Sequence, residues 1–326
     1  MSRIKTLMAL CLTLLLLLPS ACQRKDLLEP HDHYNLIIKA NFDSLALSQL
    51  LSHKSNGYSN PGEPASTTYI FFEKNSQKVA YKGSFKGLQG GVYLQEGIYD
   101  LLLYTSDFAE YDANFFRGMD NPLTAETHTR QSNVAESLAR TDVTEMYMVE
   151  PDPTFGTLYK DIVVLEGYED QLLDVELVQK SFKYYLTIRA KGLQNIHTAK
   201  MNISGMYTSA YLATDEHRMN EAGIQSVDMD IKRYDPTDKI GDGEIYGEFW
   251  SFGPNQKETI KNSITLYFVN GDVITMKLKD LTSQIKTLTK GGEIMVEEYL
   301  EIKGPAGGFN PSVGDWQDPT DVEIQI

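Results

Sequence analysis

Short segments in which apolar and polar residues alternate recur along this chain from residue 36 to its last residue. In residues 36–42 and 184–191, every second residue is apolar, and residues 227–232 alternate strictly. Successive side chains of a β-strand point to opposite faces, so a period of two predicts strands with one face in a core and the other toward water. The chain is therefore predicted to be mainly β.

Other segments predict strands or turns by composition. Residues 98–105 are almost entirely apolar, which predicts a central strand that is buried on both faces. Asn270-Gly271-Asp272 predicts a tight hairpin turn, because Asn-Gly accepts the positive φ that such turns need. The other predicted strands are residues 67–73, 161–165, 172–178, 249–252, 264–268, 273–278, 294–302 and 322–326.

Helix signals are few, and only residues 132–140 and 280–288 are predicted to form short helices. Many short strands separated by turns favour β-sandwiches. Single cores stop growing near about 250–300 residues, which favours two domains for a chain of this length. We predict domains at 34–178 and 179–326, because Gln179-Lys180-Ser181 interrupts two strand patterns.

The N terminus carries a secretion signal. Arg3 and Lys5 precede an apolar run at 7–18, which is shorter than the roughly 20 residues that span a bilayer. Small residues then lead to Cys22, which predicts a lipoprotein signal peptide at 1–21 that is cut just before this cysteine. The alternative is an ordinary signal peptide followed by a chance cysteine.

Acylation of Cys22 would fix the chain to a membrane. Each buried CH₂ of an acyl chain such as palmitate contributes about 0.8 kcal/mol, so two or three chains hold a protein there almost permanently. Residues 22–33 are predicted to form a polar tether. Cys11 leaves with the signal, and an acylated Cys22 cannot form a disulfide, so stability is expected to come from the core alone.

The charge of the chain excludes one class of partner. Its formal net charge is −15, and such an acidic surface repels nucleic acid. No nucleic-acid-binding role is therefore predicted.

Two polar segments contain side chains of the kind that bind metals. His31-Asp32-His33 lies in the tether, where no scaffold would hold several converging ligands. Residues 235–244 are rich in carboxylates, but Thr237, Lys239 and Ile240 break the calcium-loop pattern. A solvated loop is the prediction for 235–244, with calcium binding left open, and no metal or other cofactor is predicted.

Catalytic patterns are also missing from the sequence. It contains no Gly-x-Ser-x-Gly elbow, and His53, His128, His197 and His217 have no matching serine or aspartate pattern. The prediction is that the protein is not an enzyme. A pair of carboxylates for glycoside cleavage stays open, because their separation in space cannot be derived from the sequence.

Six motifs in a fixed order resemble a known family. They are CQRKDLLEPH at 22–31, GVYLQEGIYDLLLY at 91–104, MNISGM at 201–206, FWSFG at 249–253, DLTSQI at 280–285 and GGFNPSVGDW at 307–316. Together they resemble the fimbrillin-like lipoproteins of Bacteroidetes, the group that includes a minor-fimbrium anchoring subunit. The resemblance covers nearly all of the chain after Cys22.

The resemblance implies an architecture, a location and a role. It implies two tandem transthyretin-like β-sandwich domains and lipid attachment to the outer membrane through Cys22, with exposure at the cell surface. It also implies a role in adhesion as a pilus anchor, tip or accessory subunit that joins other surface subunits by β-strand addition. Asp43-Ser44-Leu45 matches the O-glycosylation signal of such bacteria, so Ser44 is a candidate acceptor.

Two alternative functions remain beside the fimbrial role. A surface lipoprotein that captures a glycan or host ligand would show an exposed aromatic platform. A hydrolase would show a pocket with converging polar groups. Co-purification with a polymer would favour the fimbrial role over both.

The last strand is the candidate for strand exchange. Val322, Ile324 and Ile326 face one way and follow a Gly/Pro-rich link at 304–319. Such a strand could leave an edge open for a neighbour's strand, with these alternate residues setting the register. The alternative is that the strand completes its own domain and that Trp316 pins the link in place.

Replacement of Cys22 by serine tests the lipid anchor. We expect the natural protein to incorporate a radiolabelled fatty acid and the Cys22→Ser variant to incorporate none, because the thiol is the acylated group. Equal labelling of both proteins, or release of the natural protein in soluble form, would contradict the prediction.

Overall fold

The computed structural model describes residues 34–42, 49, 64–107, 114–129, 147–165, 171–217, 221–237, 241–302, 312–313 and 323–324. Their regular secondary structure is almost entirely β-strand, so the mainly β prediction is confirmed. The predicted helix at 132–140 lies outside the described residues.

Twenty strands and one α-helix are described. The strands are Leu36–Phe42 (β1), Ser66–Glu73 (β2), Val79–Lys86 (β3), Gln89–Val92 (β4), Gly97–Asp107 (β5), Asn114–Arg117 (β6), Glu126–Thr129 (β7), Tyr147–Met148 (β8), Phe155–Val164 (β9), Gln171–Gln179 (β10), Phe182–Lys191 (β11), Ile196–Tyr207 (β12), Ser209–Tyr211 (β13), Ala222–Arg233 (β14), Gly243–Ser251 (β15), Asn262–Phe268 (β16), Val273–Lys277 (β17), Gly292–Glu301 (β18), Ser312–Val313 (β19) and Glu323–Ile324 (β20). The helix is Thr282–Thr287 (α1), and Leu193–Asn195 forms a 3-10 turn.

The first sheet has seven strands in the order β3-β2-β5-β9-β10-β1-β4. Strand β10 pairs in parallel with the whole of β1, but it reaches β9 only through Val178 and Gln179. The sheet folds back on itself at this point. As a result, apolar side chains from β1, β4 and β10 share one core with those of β2, β5 and β9. This face-to-face packing is that of a β-sandwich.

Strand β5 is buried on both faces, as its apolar run predicts. Leu101 and Leu103 lie in the core between the two layers, and Leu102 lies on the outer face with Ile70 and Phe72. A three-stranded sheet in the order β13-β7-β6 covers this outer face and contributes neighbouring apolar residues. Full burial of one leucine contributes about 1.5–3 kcal/mol, so this cover is a substantial part of the stability.

The second sheet has ten strands, in the order β19-β18-β11-β15-β14-β12-β16-β17-β20, with β8 beside β14. Strand β14 is shared between two layers, because its first part pairs with β12 and residues 230–233 pair with β15. A second core lies between these layers. It includes the predicted inward set of β11, namely Tyr184, Leu186, Ile188 and Ala190.

The predicted hairpin turn at 270–272 and the predicted helix at 280–288 are confirmed. Strands β16 and β17 pair antiparallel around residues 269–272, where Gly271 has φ +93° and the Asp272 N–H donates to Asn270 Oδ1 (3.1 Å). Helix α1 lies inside the predicted 280–288. Its Thr282 N–H donates to Asp280 Oδ1 (2.8 Å), which satisfies one of the free donors at the helix start.

Several strands begin earlier than predicted. Strand β15 begins at Gly243 instead of residue 249, and β9 begins at Phe155 instead of residue 161. Glycine and charged residues interrupt the apolar pattern in both segments, and pairing with neighbouring strands extends the β-structure through them. Pairing with distant strands therefore outweighs the weak β-propensity of these residues.

Most of the sheet pairing changes at Lys180-Ser181, where the domain boundary is predicted. Most strands before it build the seven-stranded sheet, and most strands after it build the ten-stranded sheet. Two strands cross this division, because β8 pairs with β14 and β13 pairs with β7. The division into two domains therefore stays a prediction.

Charged groups are buried where the two sheets meet. The Lys183 side chain is fully buried, and its Nζ lies 3.0 Å from Glu248 Oε2. Trp250 of β15 packs into the core of the seven-stranded sheet, and its backbone N–H donates to Glu150 Oε1 (2.7 Å). Burial removes water from the Glu150 carboxylate and raises its pKa to about 8, and the negative charge of Glu248 adds to this shift. The hydrogen bond from the Trp250 N–H opposes it.

Asp100 organises a bulge on β5 and β9. Its buried carboxylate accepts hydrogen bonds from the Asp161 N–H (3.1 Å), Lys74 Nζ (3.1 Å) and Gln77 Nε2 (3.3 Å). Asp161 has φ +62°, at the point where the register between the two strands shifts. Burial raises the pKa of Asp100, but these hydrogen bonds outweigh it, so the pKa lies below its ordinary value.

Replacement of Asp100 by alanine is expected to destabilise the fold by about 1–3 kcal/mol, because it removes a buried carboxylate that accepts three hydrogen bonds. The Asp228→Ala variant, at an exposed site, should change stability by less than about 0.5 kcal/mol. The folded-state pKa of Asp100 is depressed, so its contribution is present above the unfolded pKa near 3.9 and is lost as the pH falls through the folded value. Denaturant unfolding of both variants at pH 7 and pH 3 measures this, and an equal loss at both pH values would contradict it.

Glu150 should make stability fall with rising pH. Its folded-state pKa is raised, so its contribution is fully present below the unfolded pKa near 4.3 and is lost as the pH rises to about 8. The Glu150→Gln variant should lose a slope of about 1 kcal/mol per pH unit between pH 5 and 8. The Glu176→Gln variant, at an exposed position of β10, should keep the natural slope. Parallel stability curves for the natural protein and Glu150→Gln would refute this assignment.

Candidate functional site

A cleft of about 270 Å³ lies beside the turn that joins β10 to β11. We call it the junction cleft. Its walls come from this turn, from the end of β12, from the loop after β13 and from the segments at 252–256 and 289–290. The charged and aromatic side chains that could contact a ligand in this cleft are Lys180, Tyr207, Asp215, His217, Phe252 and Lys290.

Lys180 places a buried cation in this cleft. Its side chain is 3 % exposed, and its Nζ donates to the Thr214 carbonyl (2.8 Å) and to Asp215 Oδ1 (3.3 Å). The Asp215 side chain is 70 % exposed, so the cation is paired with a carboxylate that remains largely in water. Burial lowers the pKa of Lys180, Asp215 opposes this shift and Lys290 adds to it.

Tyr207 and His217 form an aromatic stack in the cleft wall. Their ring centroids are 4.4 Å apart and their planes differ by 11°. His217 Nδ1 lies 3.1 Å from the Ser209 carbonyl oxygen, so Nδ1 carries the proton and Nε2 presents a lone pair. Burial lowers the pKa of His217, which favours this neutral form.

Two of the family motifs build the wall behind the stack. The Tyr207 N–H donates to the Gly253 carbonyl, and the Asn255 N–H donates to the Gly205 carbonyl, both at 2.8 Å. Gly205 and Gly253 have φ values of +73° and +103°, which glycine adopts without strain. The segments MNISGM and FWSFG are therefore joined here by their backbones, which holds Tyr207 and Phe252 together.

The polar groups of the cleft do not form a nucleophile–base pair among the described residues. His217 is bonded to the backbone of Ser209, and Ser209 Oγ has no hydrogen-bond partner in the described part of the chain. Nucleophilic catalysis needs a hydroxyl or thiol within hydrogen-bond reach of its base. The arrangement suits binding, and the absence of enzymatic activity stays a prediction.

The sequence patterns do not predict this cleft. Lys180 lies at the predicted domain boundary, and His217 is one of several scattered histidines. They meet because β13 pairs with β7, which directs the following loop toward the turn at Lys180. No local pattern in the sequence signals a contact of this kind.

The predicted exchange strand is described only at β20. Ile324 pairs with Ile274, and Glu323 pairs with Thr275, so β20 lies at one edge of the ten-stranded sheet. The opposite edge of β17 pairs with β16 over five residues. Val322 and Ile326 lie outside the described residues, as do Cys22, Ser44 and Trp316.

The carboxylates of the 235–244 segment serve separate local contacts. Asp235 Oδ1 accepts from the Thr237 N–H (2.8 Å), Tyr234 donates to Glu244 (2.7 Å), and Tyr299 donates to Asp242 (3.0 Å). Residues 238–240 and the histidines of the tether lie outside the described part of the chain. Within that part, no three acidic, histidine or cysteine side chains cluster as metal ligands would.

The described part of the chain includes no helix that is both long and apolar enough to span a membrane.

Several solved bacterial structures are similar to this chain. One, described as "a putative adhesin" from Bacteroides ovatus, has 17 % identity and a TM-score of 0.52, over 87 % of this chain and 94 % of that chain. Another, "a putative adhesin" from Bacteroides thetaiotaomicron, has 9 % identity and a TM-score of 0.50, over 90 % and 98 %. The fimbrial anchor protein Mfa2 from Porphyromonas gingivalis has 10 % identity and a TM-score of 0.44, over 86 % and 97 %.

The likeness to the two structures described as putative adhesins is a likeness of fold. A comparison with curated proteins finds no match. Residues 21–227 match a protein family that is described as a domain of unknown function, DUF5119. This match spans more than half of the sequence, and the chain therefore belongs to the DUF5119 family.

Proposed function

We propose that this protein is a surface adhesion lipoprotein that acts as an anchor, tip or accessory subunit of a fimbrium. The observation that carries the proposal is the end-to-end likeness of the fold to a structure described as "a putative adhesin", over 87 % of this chain and 94 % of that one. The proposal assigns no enzymatic activity to the protein.

The proposed location is the outer membrane, with the lipid on Cys22. The tether at 22–33 separates this cysteine from β1, the first described strand. Acyl chains hold the protein at the membrane, and the tether leaves the folded part free to reach other surface proteins. Ser44 remains the proposed site of O-glycosylation.

The proposed mode of assembly is strand addition at β17. Among the described residues, strand β20 pairs with β17 through Ile274–Ile324 and Thr275–Glu323, at the edge of the sheet. In the proposed exchange, a strand from a neighbouring subunit takes the place of β20 on β17, and the released segment pairs with a neighbouring subunit in turn. Val322, Ile324 and Ile326 would supply the alternating side chains that set the register of that second pairing.

Truncation after residue 303 tests this mode of assembly. We expect the truncated protein to keep a cooperative unfolding transition, because both described cores consist of residues before this point. We also expect its recovery with fimbrial polymer purified from the same bacterium to fall at least tenfold.

A point variant sharpens the same experiment. Ile324→Asp should reduce recovery with the polymer as truncation does, because a charge replaces one register side chain, whereas Glu323→Lys on the same strand should not. Unfolding of the truncated protein would show that the strand is part of the core and would overturn the proposal. Recovery equal to that of the natural protein would overturn it as well.

A second function, the capture of a glycan or host ligand, is favoured by the junction cleft. Its wall carries a stacked aromatic pair, and its polar groups converge on one buried cation. Largely apolar clefts with a few placed polar groups are the usual form of small-ligand sites. This function is compatible with the fimbrial role, because an adhesive subunit of a fimbrium must itself bind a ligand.

A further inference from the structure

The junction cleft differs in charge from the protein as a whole. The chain has a formal net charge of −15, but the charged residues of the cleft are Lys180, Lys290 and Asp215, with a neutral His217. The cleft therefore carries one excess positive charge on an acidic molecule. An anionic group would gain electrostatic energy here and would be repelled elsewhere.

Lys180 has capacity for one more partner. An ammonium group has three donors, and two of them are directed at the Thr214 carbonyl and at Asp215. A buried cation is stabilised when its remaining donor is also paired, and charge-assisted bonds to carboxylates are the strong ones. A ligand carboxylate would supply that partner.

The aromatic stack supplies the rest of a sugar site. His217 is half-exposed and Tyr207 is buried, so His217 forms the outer layer of the stack. Neither the Tyr207 hydroxyl nor His217 Nε2 has a hydrogen-bond partner among the described residues. A flat aromatic surface bordered by hydrogen-bond donors and acceptors matches a sugar ring, which has C–H groups on its faces and hydroxyls at its rim.

The size of the cleft limits the ligand to one ring. Its volume of about 270 Å³ lies just below the roughly 300–1,000 Å³ of sites for drug-sized ligands. One sugar unit fits such a volume, and a longer glycan would have to extend into solvent.

We infer that the junction cleft binds a single acidic sugar unit, such as a uronic acid, at the end of a glycan. Lys180 pairs with the sugar carboxylate, the His217–Tyr207 stack supports the ring, and exposed Asp215 accepts hydrogen bonds from ring hydroxyls. This assignment names the ligand class of the second function above and rests on that function.

Binding measurements on the full mature chain in detergent test the assignment. The probes are methyl glucuronide, its neutral counterpart methyl glucoside, and acetate, each titrated by calorimetry and by ligand-detected NMR. We expect methyl glucuronide to bind at least tenfold more tightly than either of the others, because only it offers both the ring and the charge.

Variants of the cleft locate the binding. Lys180→Met should abolish the preference for the acidic sugar, and it should fold, because the remaining partner Asp215 is 70 % exposed and stays hydrated. Tyr207→Phe removes only the hydroxyl and should weaken both sugars severalfold. The control is Lys200→Met, which removes a lysine that is also paired with an aspartate, 3.2 Å away, but lies outside the cleft.

Each contrary result has a distinct meaning. Equal affinity for the two sugars, or for acetate and methyl glucuronide, would overturn the acidic-sugar assignment, and so would a lack of binding by all three probes. Unchanged affinity in both Lys180→Met and Tyr207→Phe would place the binding elsewhere and overturn the site. Recovery with fimbrial polymer should be unaffected by Lys180→Met, so failure here is separable from failure of the fimbrial proposal.

Discussion

The outer face of β5 must be covered by protein, and this requirement joins the two parts of the chain. Leu102 is fully buried on that face, under Ala125 from beside β7 and Leu212 from just after β13. The covering strands come from both sides of the β10–β11 turn, and Arg117 ties them together through ion pairs with Glu126 and Glu221. The loop that follows Leu212 supplies the acidic and imidazole groups of the junction cleft. The cleft is thus a consequence of how a hydrophobic face is buried.

A second set of contacts fixes the geometry of this junction with polar groups. The Lys183–Glu248 pair is buried, and Trp250 fills the core of the other sheet. Buried ion pairs contribute little net stability, but they destabilise arrangements in which they lose their partners. A chain with no disulfide in its predicted mature form depends on such directional contacts to hold one arrangement. The raised pKa of Glu150 indicates that this arrangement is also sensitive to pH.

Much of the fold could be predicted from local pattern, and the exceptions have identifiable causes. The inward set of β11, the two-sided burial of β5 and the hairpin at Gly271 follow from side-chain alternation and turn chemistry. Strand β12 was not predicted as a strand, because its alternation is broken near Gly205, where the register shifts between Ile203 and Met206. Strand β3 lies at an edge of its sheet and has no fully buried residue, so its sequence carries no clear apolar pattern. The candidate site depends on contacts between distant segments, which sequence patterns do not encode.

The proposed assembly edge and the junction cleft use different parts of the ten-stranded sheet. Strands β15, β14, β12 and β16 lie between β11 and β17 in the sheet order, and adjacent strands are about 4.8 Å apart. Tyr207 lies on β12, but it follows the bulge and is beyond the residues that pair with β16. A strand added along β17 would therefore leave the cleft accessible. Such a separation allows one subunit to be held in a polymer by its backbone while its side chains bind a sugar.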